Sequence, residues 1–285
     1  MRERVAGFTS SLGPDGGYRD PTSQERKTVA EGVGLLLDGH RAEAAKRLAD
    51  IDFRLRTLTD RVGGRRYAEI ADNAETSRAA RGWGRIYVDL DTAPQWSVQV
   101  PHPFSDRASD MVGVGVLRAT PGGVLILAGA HREAGEGNES DMAHRRDSVF
   151  HAVCAELLKR RLPGIQVHGF ANASAPGYDV IASTGAGGKG RTAGRALADG
   201  LREKGFTVCR AWARDCPLAG RENVQGVAAK AAGVPFLHVE FNRDVRTDEK
   251  LIGRVAAASK AATSAWGITP APAAPASSPA ARPAG

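Results

Sequence analysis

At 285 residues, 42% of them hydrophobic and 25% charged, the chain carries enough apolar material for one sizeable α/β domain with an appendage, which excludes wholesale disorder. The formal charge of +7 invites an anionic partner. Lys and Arg are nevertheless interspersed with Asp and Glu, with no basic block and no interleaved aromatics. That argues against nucleic acid and for a mixed solvated surface or a basic pocket for a small carboxylate.

No run of about 18 apolar residues occurs, so no membrane-spanning helix is expected. The start, Met1 to Phe8, lacks the apolar core of a secretory leader, so a cytoplasmic protein is expected, or a secreted one if translation begins upstream of Met1 and supplies a signal. Cys154, Cys209 and Cys216 have no paired zinc spacing, and an odd count gives no disulfide framework. Cys154 and Cys209 lie in apolar runs and read as core.

In chain order, residues 1–21 are rich in Gly, Ser, Pro and Asp and read as a flexible arm. Helical periodicity follows over 23–37 and 41–48. Phe53, Leu55, Thr57 and Thr59 then alternate with Arg54 and Arg56, a half-buried strand pattern, and a second strand covers 65–71. Val62-Gly63-Gly64 suits the turn between them. Residues 22–80 are thus expected to form a helix and β-hairpin appendage.

From Arg85 strands alternate with helices. Strands are predicted over 86–90, 96–100, 112–117, 124–128, 165–168, 178–182, 207–212 and 236–241. Helices are predicted over 145–161, 191–204, 222–232 and 248–266. This pattern predicts an α/β domain over 81–267, with a central mixed, largely parallel sheet covered by helices on both faces. Residues 268–285, almost wholly Pro, Ala and Ser, are expected to be a disordered tail. The run Thr184 to Gly190 lacks the spacing of a phosphate loop and reads as a mobile loop near the pocket.

Ligands of such sheets gather at the carboxyl ends of strands. Six of the seven histidines fall between 102 and 238, most where an apolar run stops. His102 follows one strand, with Asp106 and Asp110 in the next turn, and His168 ends another. Two imidazoles and one carboxylate with a fourth position open make a catalytic rather than a structural zinc pattern, so His102, Asp106 and His168 are the candidate ligands. Asp110 is the alternative acid. His131 and His144, with Glu133 or Asp141, form an alternative site.

Glu240 lies near the end of the strand 236–241. A carboxylate there is costly unless paired or working, so it is the candidate general base, with an ion pair to Arg243 or Arg246 as the other reading. His238 shares its face under strand alternation. Arg132, Arg145 and Arg146 sit in a polar, His-rich segment and are candidates for gripping a substrate carboxylate. His151 reads as a helix-packing residue.

The series Val-Pro-His-Pro (100–103), the His/Arg-rich segment after the next strand, Val-His-Gly-Phe (167–170), Tyr-Asp-Val-Ile-Ala-Ser (178–183) and Val-Glu-Phe-Asn-Arg (239–243) resembles the N-formylglutamate amidohydrolase group of the zinc-carboxypeptidase-like superfamily. The resemblance covers about residues 96–245 and lies in the order and spacing of the motifs. It implies a mixed sheet and one zinc per chain, held by His102, His168 and an acidic residue. It also implies that Glu240 promotes attack by water and that arginines bind a substrate carboxylate. The expected activity is zinc-dependent hydrolysis of an amide or peptide-like bond next to a carboxylate, in an N-acyl amino acid or peptide. The alternatives are a non-catalytic relative binding an anionic small molecule and a basic nucleic-acid-binding accessory protein.

Overall fold

A computed structural model describes residues 1–73 and 81–268. Three helices, α1 (Arg2–Thr9), α2 (Ser23–Leu37) and α3 (Arg41–Ala49), precede a hairpin of β1 (Phe53–Thr59) and β2 (Arg66–Asp72). Then come β3 (Arg85–Asp89), β4 (Trp96–Val100), α4 (Ser109–Ala119), β5 (Gly123–Leu127), α5 (Val149–Lys159), β6 (Gly164–Phe170) and β7 (Val180–Ser183). The chain continues through α6 (Arg191–Glu203), β8 (Val208–Arg210), α7 (Val224–Ala232), β9 (Phe236–Asn242), α8 (Arg243–Thr247) and α9 (Glu249–Ala265).

Among the described residues all nine strands join one mixed sheet in the order β1-β2-β3-β5-β4-β6-β9-β7-β8. The middle four, β5, β4, β6 and β9, are parallel, so their carboxyl ends share one edge. The pairings β1·β2, β2·β3, β3·β5 and β7·β9 are antiparallel.

Each face of the sheet has its own core. Val98, Val100, Ile165, Val167, Leu237, Val239 and Phe241 pack toward α1, α4, α6 and α9. Ile70, Ile86, Val88, Val124 and Ile126 pack toward α2, α3 and α5. Strand alternation then sends Gln99, Gln166, His168, His238 and Glu240 to the second face, where α7 carries the polar Gln225.

Several expectations are corrected. Residues 112–117, expected as a strand, lie in α4. The Val-Gly-Val-Gly-Val run alternates like a strand, but its glycines let a helix sit tightly between sheet and helix layer. A Cβ at Gly113 would meet Val100 and one at Gly115 would meet Ile252 of α9, at 2.7 and 3.2 Å.

Residues 1–21, expected as a loose arm, begin with α1. Its Val5 and Phe8 are core residues, and its Arg4 donates two hydrogen bonds to the buried Glu69, at 2.5 and 2.6 Å. The hairpin expected within an appendage continues the main sheet through β2·β3. The last part of that segment, residues 74–80, lies outside the described residues. Cys209, expected as plain core, is joined to Cys216 in a disulfide, while Cys154 is a buried free thiol.

The glycine run 184–190 follows the antiparallel β7 and so lies away from the carboxyl ends of β5, β4, β6 and β9, with Gly190 against the backbone of Phe236 at the start of β9. The expected tail lies outside the described residues except Ile268, which is buried in the core. No helix among the described residues is long and apolar enough to cross a membrane.

Candidate metal centre

Beyond β4 the chain turns sharply between two prolines flanking His102. The Asp106 amide donates to the His102 carbonyl at 2.9 Å, and the Ser109 hydroxyl to the same oxygen at 3.3 Å. This one-turn fold-back carries the Asp106 carboxylate to the His102 ring, with Asp106 Oδ2 3.5 Å from His102 Nδ1. His168, on neighbouring β6, brings its own Nδ1 to 3.4 Å from the same oxygen. The Gly169 amide donates to that oxygen at 3.1 Å and fixes its direction. His102, Asp106 and His168 are all buried, and one donor atom from each lies within 4.8 Å of the others.

The opposite nitrogens are tied elsewhere. His102 Nε2 lies 2.7 Å from Asp141 Oδ1, and His168 Nε2 lies 3.0 Å from Gln166 Oε1. The two rings therefore differ electrostatically. Burial disfavours charge on both. For His102 the carboxylates of Asp106 and Asp141 outweigh burial and raise the imidazole to about 9. For His168, with a neutral amide on its outer side, burial prevails over Asp106 and the pKa falls below its usual value. The Asp106 carboxyl, which burial alone would raise, is held well below the usual carboxylate range by His102 and His168.

These residues fit a transition-metal ion. His102 Nδ1 is buried without a hydrogen-bond partner, an orphan that a cation would satisfy. Two imidazole nitrogens and a carboxylate oxygen are a zinc donor set, and outer partners on each Nε2 are what metal-binding histidines have.

Glu240 pairs with His168 in parallel register, so its side chain stands on the same face one strand away. It is buried, with Oε1 3.2 Å from His238 Nε2. The alternative ion pair does not form among the described residues. The buried guanidinium of Arg246 donates instead to the carbonyls of Phe241 at 3.0 Å, Phe170 at 3.2 Å and Arg107. It ties the ends of β9 and β6 to the turn that carries Asp106. His238 Nε2 donates to the carbonyl of Leu218 at 3.0 Å.

Of the three candidate arginines, Arg132 reaches the centre, donating to Asp141 Oδ2 at 3.0 Å while remaining partly exposed. Arg145 precedes α5, which begins later than expected because Ser148 caps it. Its guanidinium is engaged with Asp147 at 2.8 Å and with Asp20 at 3.2 Å. Arg146 is exposed. Asp110 turns away from the centre and accepts from Thr9 Oγ1 at 2.5 Å. His131 Nδ1 accepts from the Glu133 amide at 3.2 Å, and His144 Nδ1 lies 3.1 Å from Asp141 Oδ2. The alternative set is not gathered into one cluster, and among the described residues the only metal-competent group is His102, Asp106 and His168. His151 lies in α5, its pKa lowered chiefly by burial.

Reading the residues one by one does not single out Asp141 for His102, nor Gln99, Gln166, Asn223, Gln225 and Arg246. A signal for the glutamines exists: polar residues at every second position of otherwise apolar strands, Ser97/Gln99, Gln166/His168 and His238/Glu240, mark one polar face across three neighbouring strands.

No family model matches the chain, and no curated protein matches it. Among solved structures it is similar to an N-formylglutamate amidohydrolase from Ralstonia eutropha JMP134, at 14% identity and a TM-score of 0.42 over 61% of this chain and 94% of that one. A metallo-carboxypeptidase from Pseudomonas aeruginosa matches at 14% identity and a TM-score of 0.39, over 79% of this chain and 67% of that one. A metallo-carboxypeptidase from Burkholderia cenocepacia matches at 12% identity and a TM-score of 0.39, over 85% of this chain and 68% of that one. The structural neighbours thus include an amidohydrolase and metallo-carboxypeptidases.

Proposed function

We propose that this chain is a zinc-dependent hydrolase that cleaves an amide or peptide-like bond next to a carboxylate. The observation that carries the reading is the convergence of His102 Nδ1, His168 Nδ1 and Asp106 Oδ2 in a buried cradle, with each Nε2 held by an outer partner and Glu240 on the adjoining strand. His102, His168 and Asp106 would hold the ion. When bound, zinc polarises a carbonyl and makes water a nucleophile near neutral pH.

The chain's own residues do the rest. Asp141 and Gln166 keep the two imidazoles aimed into the cradle. Glu240 accepts the proton from the attacking water and returns it to the leaving nitrogen. His238 holds the Glu240 carboxylate on the cradle side. Arg132, anchored on Asp141 and open to solvent, meets the substrate carboxylate and sets which end of the substrate faces the cradle.

The test is metal analysis of the purified protein with a screen of N-acyl amino acids and short peptides. About one zinc per chain is expected, lost in His102→Ala and His168→Ala. Full metal content in both variants would remove this cradle from consideration. Metal without turnover of any substrate would leave a binding protein for anionic small molecules.

A further inference from the structure

Beneath His168 lies a chain of buried amides whose direction is fixed at both ends by backbone carbonyls. Gln225 Nε2 donates to the Met142 carbonyl at 2.8 Å. A carbonyl only accepts, so the group facing it is the NH₂ of Gln225, and the Gln225 oxygen faces the other way. That oxygen accepts from Gln166 Nε2 at 3.0 Å. Gln166 Oε1 is therefore turned toward His168, 3.0 Å from Nε2.

A second route gives the same polarity. The Leu218 carbonyl requires the proton of His238 on Nε2, which leaves Nδ1 an acceptor for Asn223 Nδ2 at 3.3 Å. The same Asn223 nitrogen donates to Gln166 Oε1 at 2.7 Å, and although it also lies 3.2 Å from His168 Nε2, its two protons are taken by Gln166 Oε1 and His238 Nδ1, so His168 Nε2 has only the Gln166 oxygen as its partner. Two independent carbonyls thus fix Gln166 Oε1 as an acceptor, whichever way each amide is drawn in isolation. The loop that supplies Leu218 and Asn223 is shaped for this contact. Leu218 and Gly220 have φ of 55° and 59°, and a Cβ at Gly220 would strike the His238 ring.

We infer that Gln225 and Gln166 form a directional amide relay that keeps the proton of His168 on Nε2 and thereby presents its Nδ1 lone pair to the metal cradle. This deepens the metal reading above and rests on it for its purpose, though not for its geometry. Asp141 does the equivalent for His102 with a full charge, and Met142, which anchors the relay, is its chain neighbour. Both metal-facing nitrogens are thus set from one short segment. Gln166 and Gln225 are positioning residues; neither belongs to the metal-competent group.

The tautomer is read directly from the ring nitrogens of His168 by long-range ¹H–¹⁵N NMR on metal-free protein, and zinc affinity by competition with a chromophoric chelator. The wild type should show the Nε2–H form. Gln166→Met, which leaves no oxygen facing His168, should populate the other form and weaken zinc binding by roughly 10- to 100-fold, and Gln225→Leu, in which Asn223 still holds Gln166 Oε1, should shift both in the same direction to a smaller extent. Gln166→Glu keeps an acceptor facing His168 but loses the donation to Gln225. It should therefore keep the Nε2–H form and bind zinc more tightly than Gln166→Met, even where its melting temperature falls as far.

An Nδ1–H form in the wild type overturns the relay, as does affinity that follows melting temperature through all three variants. If Gln166→Met does not fold, the wild-type tautomer and Gln225→Leu still decide the matter. A wild type with the expected tautomer and no zinc affinity would leave the relay standing and remove the metal reading.

Discussion

At the scale of single residues, legibility in the sequence depends on how unusual each residue is in its setting. His102 and His168 interrupt apolar strand ends, and Glu240 is a carboxylate in a buried strand, so each demands an explanation. Asp141 does not, because an Asp in a polar loop is ordinary until a fold brings it 2.7 Å from a buried imidazole 39 positions away. The role proposed for Glu240 has a sharp consequence. Gln has the size of Glu but cannot take a proton, and Glu240 is outside the metal-competent group. Glu240→Gln should therefore retain zinc while turnover of a substrate found in the screen falls by about 10²-fold or more. Unchanged turnover would reduce Glu240 to a partner of His238, and lost zinc would make it a ligand.

Elements are legible where one period dominates and obscure where two compete. β4, β6 and β9 fall within a residue or two of expectation because apolar runs bounded by turns leave little choice. α4 does not, because Val and Gly in alternation carry a period of two while the space between β4, β5 and α9 admits only a helix. The short β8 is legible as a strand, but the covalent link at its end is not, since three cysteines leave pairing open. Cys209 and Cys216 close a short loop at the base of the segment that supplies Leu218 and Asn223 to the centre. Denatured but unreduced protein should react as one thiol, Cys154, and reduced protein as three. Closing so short a loop stabilises by about 2.5 kcal/mol in the chain-entropy account, so Cys216→Ser should lower the melting temperature by several degrees. Three reactive thiols before reduction would show that the link is not formed.

For the whole molecule, the alternation of strands and helices makes the mixed sheet and its two covered faces readable, whereas the part played by the first 72 residues is hidden. Composition marks residues 1–21 as a loose arm because a Gly- and Pro-rich stretch dilutes the apolar pair Val5 and Phe8. The attachment of α1 involves charge as well as apolar contact. Glu69 is fully buried in the middle of β2, receives Arg4 from α1, and has Arg85 at 3.6 Å and the Tyr87 hydroxyl at 3.1 Å. Burial pushes its carboxyl up, but Arg4, Arg85 and Tyr87 together outweigh burial and hold it below its ordinary value of 4.5. A carboxyl whose folded pKa is depressed contributes stability that is present above the unfolded value and is lost as pH falls through the folded value. Stability should therefore decline below about pH 4.5 as the cluster takes up a proton. Deleting residues 1–21 removes Arg4 and the apolar contacts of Val5 and Phe8 while leaving Glu69 in the middle of β2. Arg85 and Tyr87 still face Glu69 and Arg4 is itself partly exposed, so losing Arg4 costs less than the roughly 3–5 kcal/mol of stripping a lone buried pair. The shortened chain should melt well below the full one at pH 7, and the gap should narrow toward pH 4, where protonated Glu69 no longer needs Arg4. Superimposable melting curves at both pH values would return residues 1–21 to a loose arm and take Glu69 out of the account of how the sheet's first three strands are held.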